Sequence, residues 1–141
     1  HMGEGHFHHV HIFCTDISKS INWWQTNFSA EICFDNIMGG SRNVFVRVGE
    51  GRLHFYDQAP KTFATGTIHH LGIRVENLGE TVLMMKNNGV EFRNPIRSFD
   101  GWAYSMCLAP DNILLELFEV SNEIKDPKLL NYFSDSSSHF L

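Results

Sequence analysis

The chain has 141 residues, of which 43% are hydrophobic and 19% charged, which is enough apolar material for one domain or for two small halves sharing a core. Its net charge is −5 with neutral histidine and its basic residues are scattered, so no nucleic-acid partner is expected. No apolar run approaches the ~20 residues of a membrane-spanning helix, and no signal-peptide pattern opens the chain, so no membrane partner is expected either.

The first half of the chain predicts the element order β-α-β-β-β. Residues 6–14 alternate between polar and apolar side chains and predict a strand. Asp16 is a candidate N-cap for a helix over residues 18–28, where apolar side chains recur at helical spacing. Three further strands are separated by turn-forming glycines: 31–36, 43–48 and 52–57.

The second half repeats this order. A strand is predicted over residues 67–75, and Asn77 is a candidate N-cap for a helix that Gly89 closes as a left-handed cap. The remaining elements are strands near 91–93, 103–108 and 113–119 and a short helix over 127–133. These elements predict a first unit over 6–57, a linker over 58–66, a second unit over 67–120 and a C-terminal tail over 121–141.

The two halves are also similar in sequence. A shift of 61 residues aligns the first strands, with His8 on His69 and His9 on His70, and a shift of 62 aligns the last strands, with His54 on Glu116. Two matches in the same order, on the same kinds of element, indicate an internal repeat. The expected fold class is α+β, with two βαβββ repeats.

The three cysteines, Cys14, Cys33 and Cys107, are an odd number in strand-like apolar surroundings. This pattern favours buried free thiols in a reducing compartment over a disulfide framework. The expected location is therefore cytoplasmic.

Polar residues inside apolar strands are the candidate site. His54 and Glu116 each interrupt a run of large apolar residues, and an ionised glutamate in such a setting needs a partner, for which a metal cation is adequate. Strand alternation places His9 and His11 on one face of the first strand and His8 on the other. We expect His8 and His69 to face away from the site, and leave open whether His11 lines it.

The segments that carry these residues resemble the vicinal oxygen chelate superfamily. They are a His-Val-x-Ile-x-x-x-Asp-Ile-x-x-Ser pattern, a second histidine in a similar phrase, and "DNILLELFE". The superfamily includes glyoxalase I, the extradiol dioxygenases and the fosfomycin and bleomycin resistance proteins. The resemblance implies that the two units form an eight-stranded, cup-shaped mixed sheet around a metal site, with the helices outside.

The resemblance also implies a ligand set for one divalent metal ion, which could be Zn, Ni, Co, Fe or Mn. Carried over position by position, the ligands are His9, His54, His70 and Glu116. At residue 54 the metal-dependent lyases and epimerases of the superfamily usually have Glu or Gln, so this chain departs from the pattern there.

The first hypothesis is a metal-dependent lyase or isomerase. The ion would chelate vicinal oxygens of a small α-oxo substrate or thiol adduct and stabilise an enediolate, with Glu116 and His54 as the catalytic groups. The alternatives are a non-haem iron dioxygenase, which the fourth ligand disfavours, and a non-catalytic drug-binding resistance protein. We expect a homodimer, with each site formed within one chain or across the two copies.

Overall fold

The structure is a computed structural model that describes residues 5, 7–62, 68–99, 101–121 and 123–133. The described residues leave out part of the predicted linker, residue 67 of the strand predicted over 67–75, and the end of the predicted tail. The chain divides into two compact units, His1–Phe63 and Ala64–Leu141.

The first unit consists of a four-stranded mixed sheet and one helix. Its elements are β1 (Val10–Phe13), α1 (Ile17–Phe28), β2 (Glu31–Met38), β3 (Ser41–Val48) and β4 (Gly51–Tyr56). The strand order is β1-β4-β3-β2, with β1 and β4 parallel and the other pairs antiparallel.

The second unit repeats this arrangement and adds a helix. Its elements are β5 (Leu71–Arg74), α2 (Leu78–Asn87), β6 (Arg97–Phe99), β7 (Trp102–Ala109), β8 (Ile113–Val120) and α3 (Pro127–Phe133). The strand order is β5-β8-β7-β6, with β5 and β8 parallel. The α+β class and the two βαβββ repeats are thus confirmed. No helix in the described ranges is long and apolar enough to cross a membrane.

The two long helices begin at equivalent caps. The Asp16 carboxylate accepts a hydrogen bond from the Lys19 backbone N–H at 3.1 Å, and the Asn77 side chain accepts one from Glu80 N–H at 3.0 Å. Each cap supplies an acceptor to an N–H that has no partner within its helix. Gly89 follows α2 with a φ of +86°, the left-handed conformation predicted for it.

The helices cover one face of each sheet. On α1, Trp24 is 1% exposed and its ring centroid lies 6.4 Å from that of buried Phe55 on β4. In the second unit Met85 of α2 and Leu115 and Leu117 of β8 are fully buried. Each such side chain contributes about 1.5–3 kcal/mol of burial free energy. The opposite face of each sheet is left to carry the polar candidates.

The prediction of a strand at residues 91–93 is wrong. These residues are not part of a strand, and β6 begins only at Arg97, after Pro95. Proline lacks the N–H that a ladder needs and restricts the residue before it, so pairing with β7 begins beyond it. As a result β6 has three residues, whereas β2, its counterpart in the first unit, has eight.

All three cysteines are free thiols, and Cys14 and Cys107 are buried as predicted. Burial raises the pKa of Cys107 to about 11. The prediction of burial was wrong for Cys33, which is exposed. It lies at an irregularity between Ile32 and Phe34 in β2, the last strand in the order of its sheet, where no residue is buried.

Candidate functional site

The strand register places His54 and Glu116 at equivalent positions of the two units. His11 lies opposite His54 in the β1–β4 pair, and Gly72 lies opposite Glu116 in the β5–β8 pair. These pairs are related by shifts of 61 and 62 residues, the same shifts that align the two halves in sequence. The last strand of each unit therefore carries one metal-ligating residue type at the same point of the sheet.

In the first unit four rings form a row across the sheet, which we call the histidine row: His11, His54, Phe45 and Phe34, one from each strand. Successive ring centroids are 4.3, 4.4 and 5.1 Å apart. Ile12, between two exposed neighbours, is buried on the other side, so the row occupies the sheet face away from α1.

His9 lies directly before β1, with its ring centroid 6.0 Å from that of His54. His9 therefore lies at the start of β1, beside the histidine row, and the two candidate ligands of the first unit, His9 and His54, are neighbours. His11, which the sequence left open, is also a member of this cluster.

His54 is half-buried, and its Nε2 lies 2.6 Å from Oδ1 of Asn43 on β3. Burial, with smaller contributions from the charges of His11 and His9, holds the pKa of His54 below its usual value of 6.5. The ring is consequently neutral near pH 7, which is the form of imidazole that binds metals and accepts protons.

In the second unit Nε2 of His70 lies 3.6 Å from Oε2 of Glu116. Glu116 is half-buried between Leu115 and Leu117, which are fully buried on the helix side. Gly72 lies opposite Glu116, so the residue of β5 that pairs with the glutamate has no side chain. The two candidate ligands of this unit thus face each other directly.

The expectation that His8 and His69 face away from the site stays a prediction. Strands β1 and β5 begin after them, so the alternation argument does not apply to their positions. Nδ1 of His8 lies 3.0 Å from Nδ1 of His9, and Nδ1 of His69 lies 2.8 Å from Nδ1 of His70. Each candidate ligand histidine therefore contacts the histidine before it through the same nitrogen.

The donor chemistry of the second unit fits a divalent ion. Metal–nitrogen and metal–oxygen bonds of about 2.1 Å allow two ligands of one ion to lie 3.6 Å apart. Within the residues that the structure describes, no group of three or more His, Cys, Asp or Glu is close enough to hold a metal. The four predicted ligands are distributed as His9 and His54 in the first unit and His70 and Glu116 in the second.

Two arginines that could have anchored an anionic substrate have other partners. Arg42 forms a bidentate pair with Asp35, with N–O distances of 2.9 and 2.8 Å, and also donates to Ser18 Oγ. Arg74 donates to the backbone carbonyl of Phe133 at the end of α3. Both arginine side chains therefore connect one part of their unit to another.

Sequence reasoning did not select Asn43, which is 4% exposed. A signal was available, because Asn43 is a polar residue beside the apolar run of β3, as His54 is in β4. Three aromatic residues of the second sheet also form a cluster: Phe99 and Trp102 stack at 4.8 Å, and Tyr104 stacks with both at 6.0 and 5.7 Å.

A family model described as the Glyoxalase/Bleomycin resistance protein/Dioxygenase superfamily matches residues 6–117. The chain belongs to this superfamily. The predicted relationship to the vicinal oxygen chelate proteins is therefore confirmed, and members of the superfamily include many enzymes.

Solved structures of several other proteins share the fold. A fosfomycin resistance protein, FosX, from Listeria monocytogenes is 20% identical, with a TM-score of 0.69 over 85% of this chain and 97% of its own. A second FosX structure, with Mn(II) and sulfate, gives 18% identity, a TM-score of 0.68 and coverage of 85% and 96%. A glyoxalase family protein from Enterococcus faecalis is 22% identical, with a TM-score of 0.69 over 84% of this chain and 100% of its own. No curated protein sequence matches the chain significantly.

Proposed function

We propose that this protein is a metal-dependent lyase or isomerase that holds one divalent ion through His9, His54, His70 and Glu116. The observation that carries the proposal is the repeat of the register. Each unit presents two metal-ligating residue types at equivalent points, one directly before its first strand and one within its last.

The bound ion would act as a Lewis acid on two neighbouring oxygens of the substrate. The protein's own groups then move the proton. Glu116 is a carboxylate held 3.6 Å from His70, and His54 is an imidazole whose lowered pKa leaves it able to accept a proton at neutral pH. Glu116 would serve as the base, and His54 would serve as the acid–base group on the other side of the substrate in the state in which the ion does not hold the lone pair of its ring.

Aromatic rings on the two sheets that carry these groups support a substrate with an apolar portion beyond its two oxygens. Phe45 and Phe34 extend the histidine row across the first sheet. Phe99, Trp102 and Tyr104 form a stacked patch at the β6–β7 edge of the second. A small α-oxo compound or its thiol adduct has this combination of a chelating end and an apolar end. We further propose a homodimer located in the cytoplasm.

The test is an activity panel on protein reconstituted separately with Mn, Fe, Co, Ni and Zn. FosX has been solved with Mn(II), so manganese is the first ion to try. Turnover of an α-oxo aldehyde with a thiol, lost in Glu116→Gln, supports the lyase or isomerase. Oxygen uptake with a catechol identifies a dioxygenase instead. Binding of fosfomycin or bleomycin without turnover identifies a resistance protein of the sequestering kind.

A further inference from the structure

The orientation of the Asn43 side chain is fixed by its surroundings. Its Nδ2 donates to the backbone carbonyls of Met38 at 3.2 Å and Ser41 at 3.0 Å, the two residues that flank the turn between β2 and β3. Carbonyl oxygens only accept hydrogen bonds, so the amide nitrogen must point towards them. The Oδ1 atom of this buried side chain is therefore directed towards β4.

This orientation assigns the proton on the His54 ring. Oδ1 of Asn43 lies 2.6 Å from Nε2 of His54 and can only accept. Nε2 of the neutral ring must then carry the hydrogen, which leaves the lone pair on Nδ1. The amide thus determines which nitrogen of His54 can bind a metal or receive a proton.

We propose that Asn43 is a positioning residue that holds His54 by its Nε2–H, so that His54 serves the site through Nδ1. The metal part of this inference rests on the proposed function. In the second unit Nδ1 of His70 lies against His69, and its Nε2 is the nitrogen that faces the other proposed ligand, Glu116. The two units would therefore present different imidazole nitrogens.

The neighbours of His54 hold the ring in this position. The rings of His11 and Phe45 lie edge-on to it on either side, with centroids at 4.3 and 4.4 Å. Turning the ring over to present Nε2 would break the bond to Asn43 and leave a buried acceptor without its donor. A hydrogen bond from the non-ligating nitrogen is also the usual means by which proteins orient a metal-binding histidine.

The experiment compares wild type with Asn43→Ala, Asn43→Asp and the control Asn36→Ala. Asn36 faces Asn43 in the β2–β3 register, but its side-chain oxygen accepts from the backbone N–H of Ile37. Nitrogen NMR of the imidazoles, above the pKa of histidine, follows the His54 Nε2–H. Calorimetry measures zinc affinity, and circular dichroism checks that each variant is folded.

We expect the His54 Nε2–H to be protected from solvent exchange in wild type and to persist after zinc loading, while the Nδ1 resonance shifts. Asn43→Ala should lose the protection and bind zinc ~10–100-fold more weakly, whereas Asn36→Ala should match wild type. Asn43→Asp keeps the acceptor but lacks the donors to the turn, so it should retain the protected Nε2–H. A purely structural role at the turn predicts that Asp behaves like Ala.

Loss of the Nε2–H signal on zinc loading would overturn the proposal, because zinc would then have taken that nitrogen. Unchanged zinc affinity in folded Asn43→Ala would overturn it as well. If wild type binds no zinc or other divalent ion, the proposed function fails and the metal role of Asn43 fails with it. The protection of Nε2–H in the metal-free protein tests the Asn43–His54 contact separately.

Discussion

At the scale of single residues, His54 is the most informative position. The superfamily's metal-dependent lyases and epimerases usually carry Glu or Gln there, and this chain carries a half-buried imidazole with a lowered pKa. A neutral ligand instead of a carboxylate leaves one more unit of positive charge at the site. Charge that develops on substrate oxygens would be stabilised more strongly as a result.

Replacing His54 tests this role. His54→Ala should weaken metal binding by at least ~10–100-fold, because a lost ligand should cost no less than a lost supporting contact, and the fold should survive because the side chain is only half-buried. His54→Glu should restore binding. Isothermal titration with zinc or manganese measures both. Equal affinity in all three proteins would remove His54 from the ligand set.

Alanine variants of adjacent histidines test the assignment of His9 and His70 as ligands. His9→Ala should lower metal affinity more than His8→Ala, and His70→Ala more than His69→Ala, because His8 and His69 are not proposed ligands and each contacts the ring of one that is. The same titration measures this order. If His8→Ala strips the metal and His9→Ala does not, the assignment of the first-strand ligand is displaced by one residue.

Thiol reactivity provides a prediction independent of any metal. Cys33 is exposed, whereas Cys14 and Cys107 are buried and burial raises the pKa of Cys107 to about 11. Only the thiolate reacts, so the folded protein at pH 7.5 should react with one equivalent of a disulfide reagent and the unfolded protein with three. Cys33→Ser should remove the fast-reacting equivalent. A second fast equivalent in that variant would contradict the burial of the other two.

At the scale of elements, the contacts of Arg42 connect β3 to β2 through Asp35 and to the start of α1 through Ser18. The hydrogen bond from Arg42 is the main reason that the pKa of Asp35 lies below its ordinary value of 3.8. A lowered carboxyl pKa adds stability that is complete above the unfolded value and is lost as the pH falls through the folded value.

Asp35→Asn should therefore lower the free energy of unfolding at pH 7, by less than about 1 kcal/mol because the side chains of this pair are 35% and 33% exposed. The difference from wild type should shrink as the pH falls below 3.8. Urea unfolding at pH 7 and pH 3 measures it. A loss that stays the same at both values would assign the effect to packing and not to charge.

The sequence predicted most of the helices and strands, and the internal repeat also predicted how the first and last strands of each unit pair. The shifts of 61 and 62 residues correctly related the β1–β4 and β5–β8 registers, because the hydrophobic pattern of a strand specifies its pairing. The failures have local causes. Strand β6 begins after Pro95, at Arg97, and not at residue 91. Strand β1 begins at Val10, so the alternation of side chains along a strand does not apply to His8 and His9.

The choice of nitrogen on His54 could not be predicted, although the sequence selected His54 itself. That choice depends on Asn43, eleven residues earlier in the chain, and on the two carbonyls that fix its amide. Contacts of this kind follow from side-chain positions, which a periodic pattern does not encode. Residue types in strands are readable from sequence, and hydrogen-bond direction is not.

At the scale of the whole molecule, β2 predicts an assembly. It is the last strand in the order of its sheet, all eight of its residues are exposed, and Phe34, Ile37 and Met38 are 37%, 62% and 42% exposed. An apolar edge strand is a surface that proteins normally cover. We expect a homodimer in sedimentation velocity experiments. Ile37→Lys should weaken it, and a wild-type monomer at micromolar concentration would contradict it.

The central claim is that His9, His54, His70 and Glu116 hold one ion. Its most direct test is elemental analysis of protein purified without a nickel column, for wild type and for the four single alanine variants. We predict one equivalent of a divalent metal per chain in wild type, with a sharp loss of metal in each of His9→Ala, His54→Ala, His70→Ala and Glu116→Ala. Metal that remains at one equivalent in variants from both units, or wild type that retains none after incubation with manganese, iron or zinc, would contradict the account.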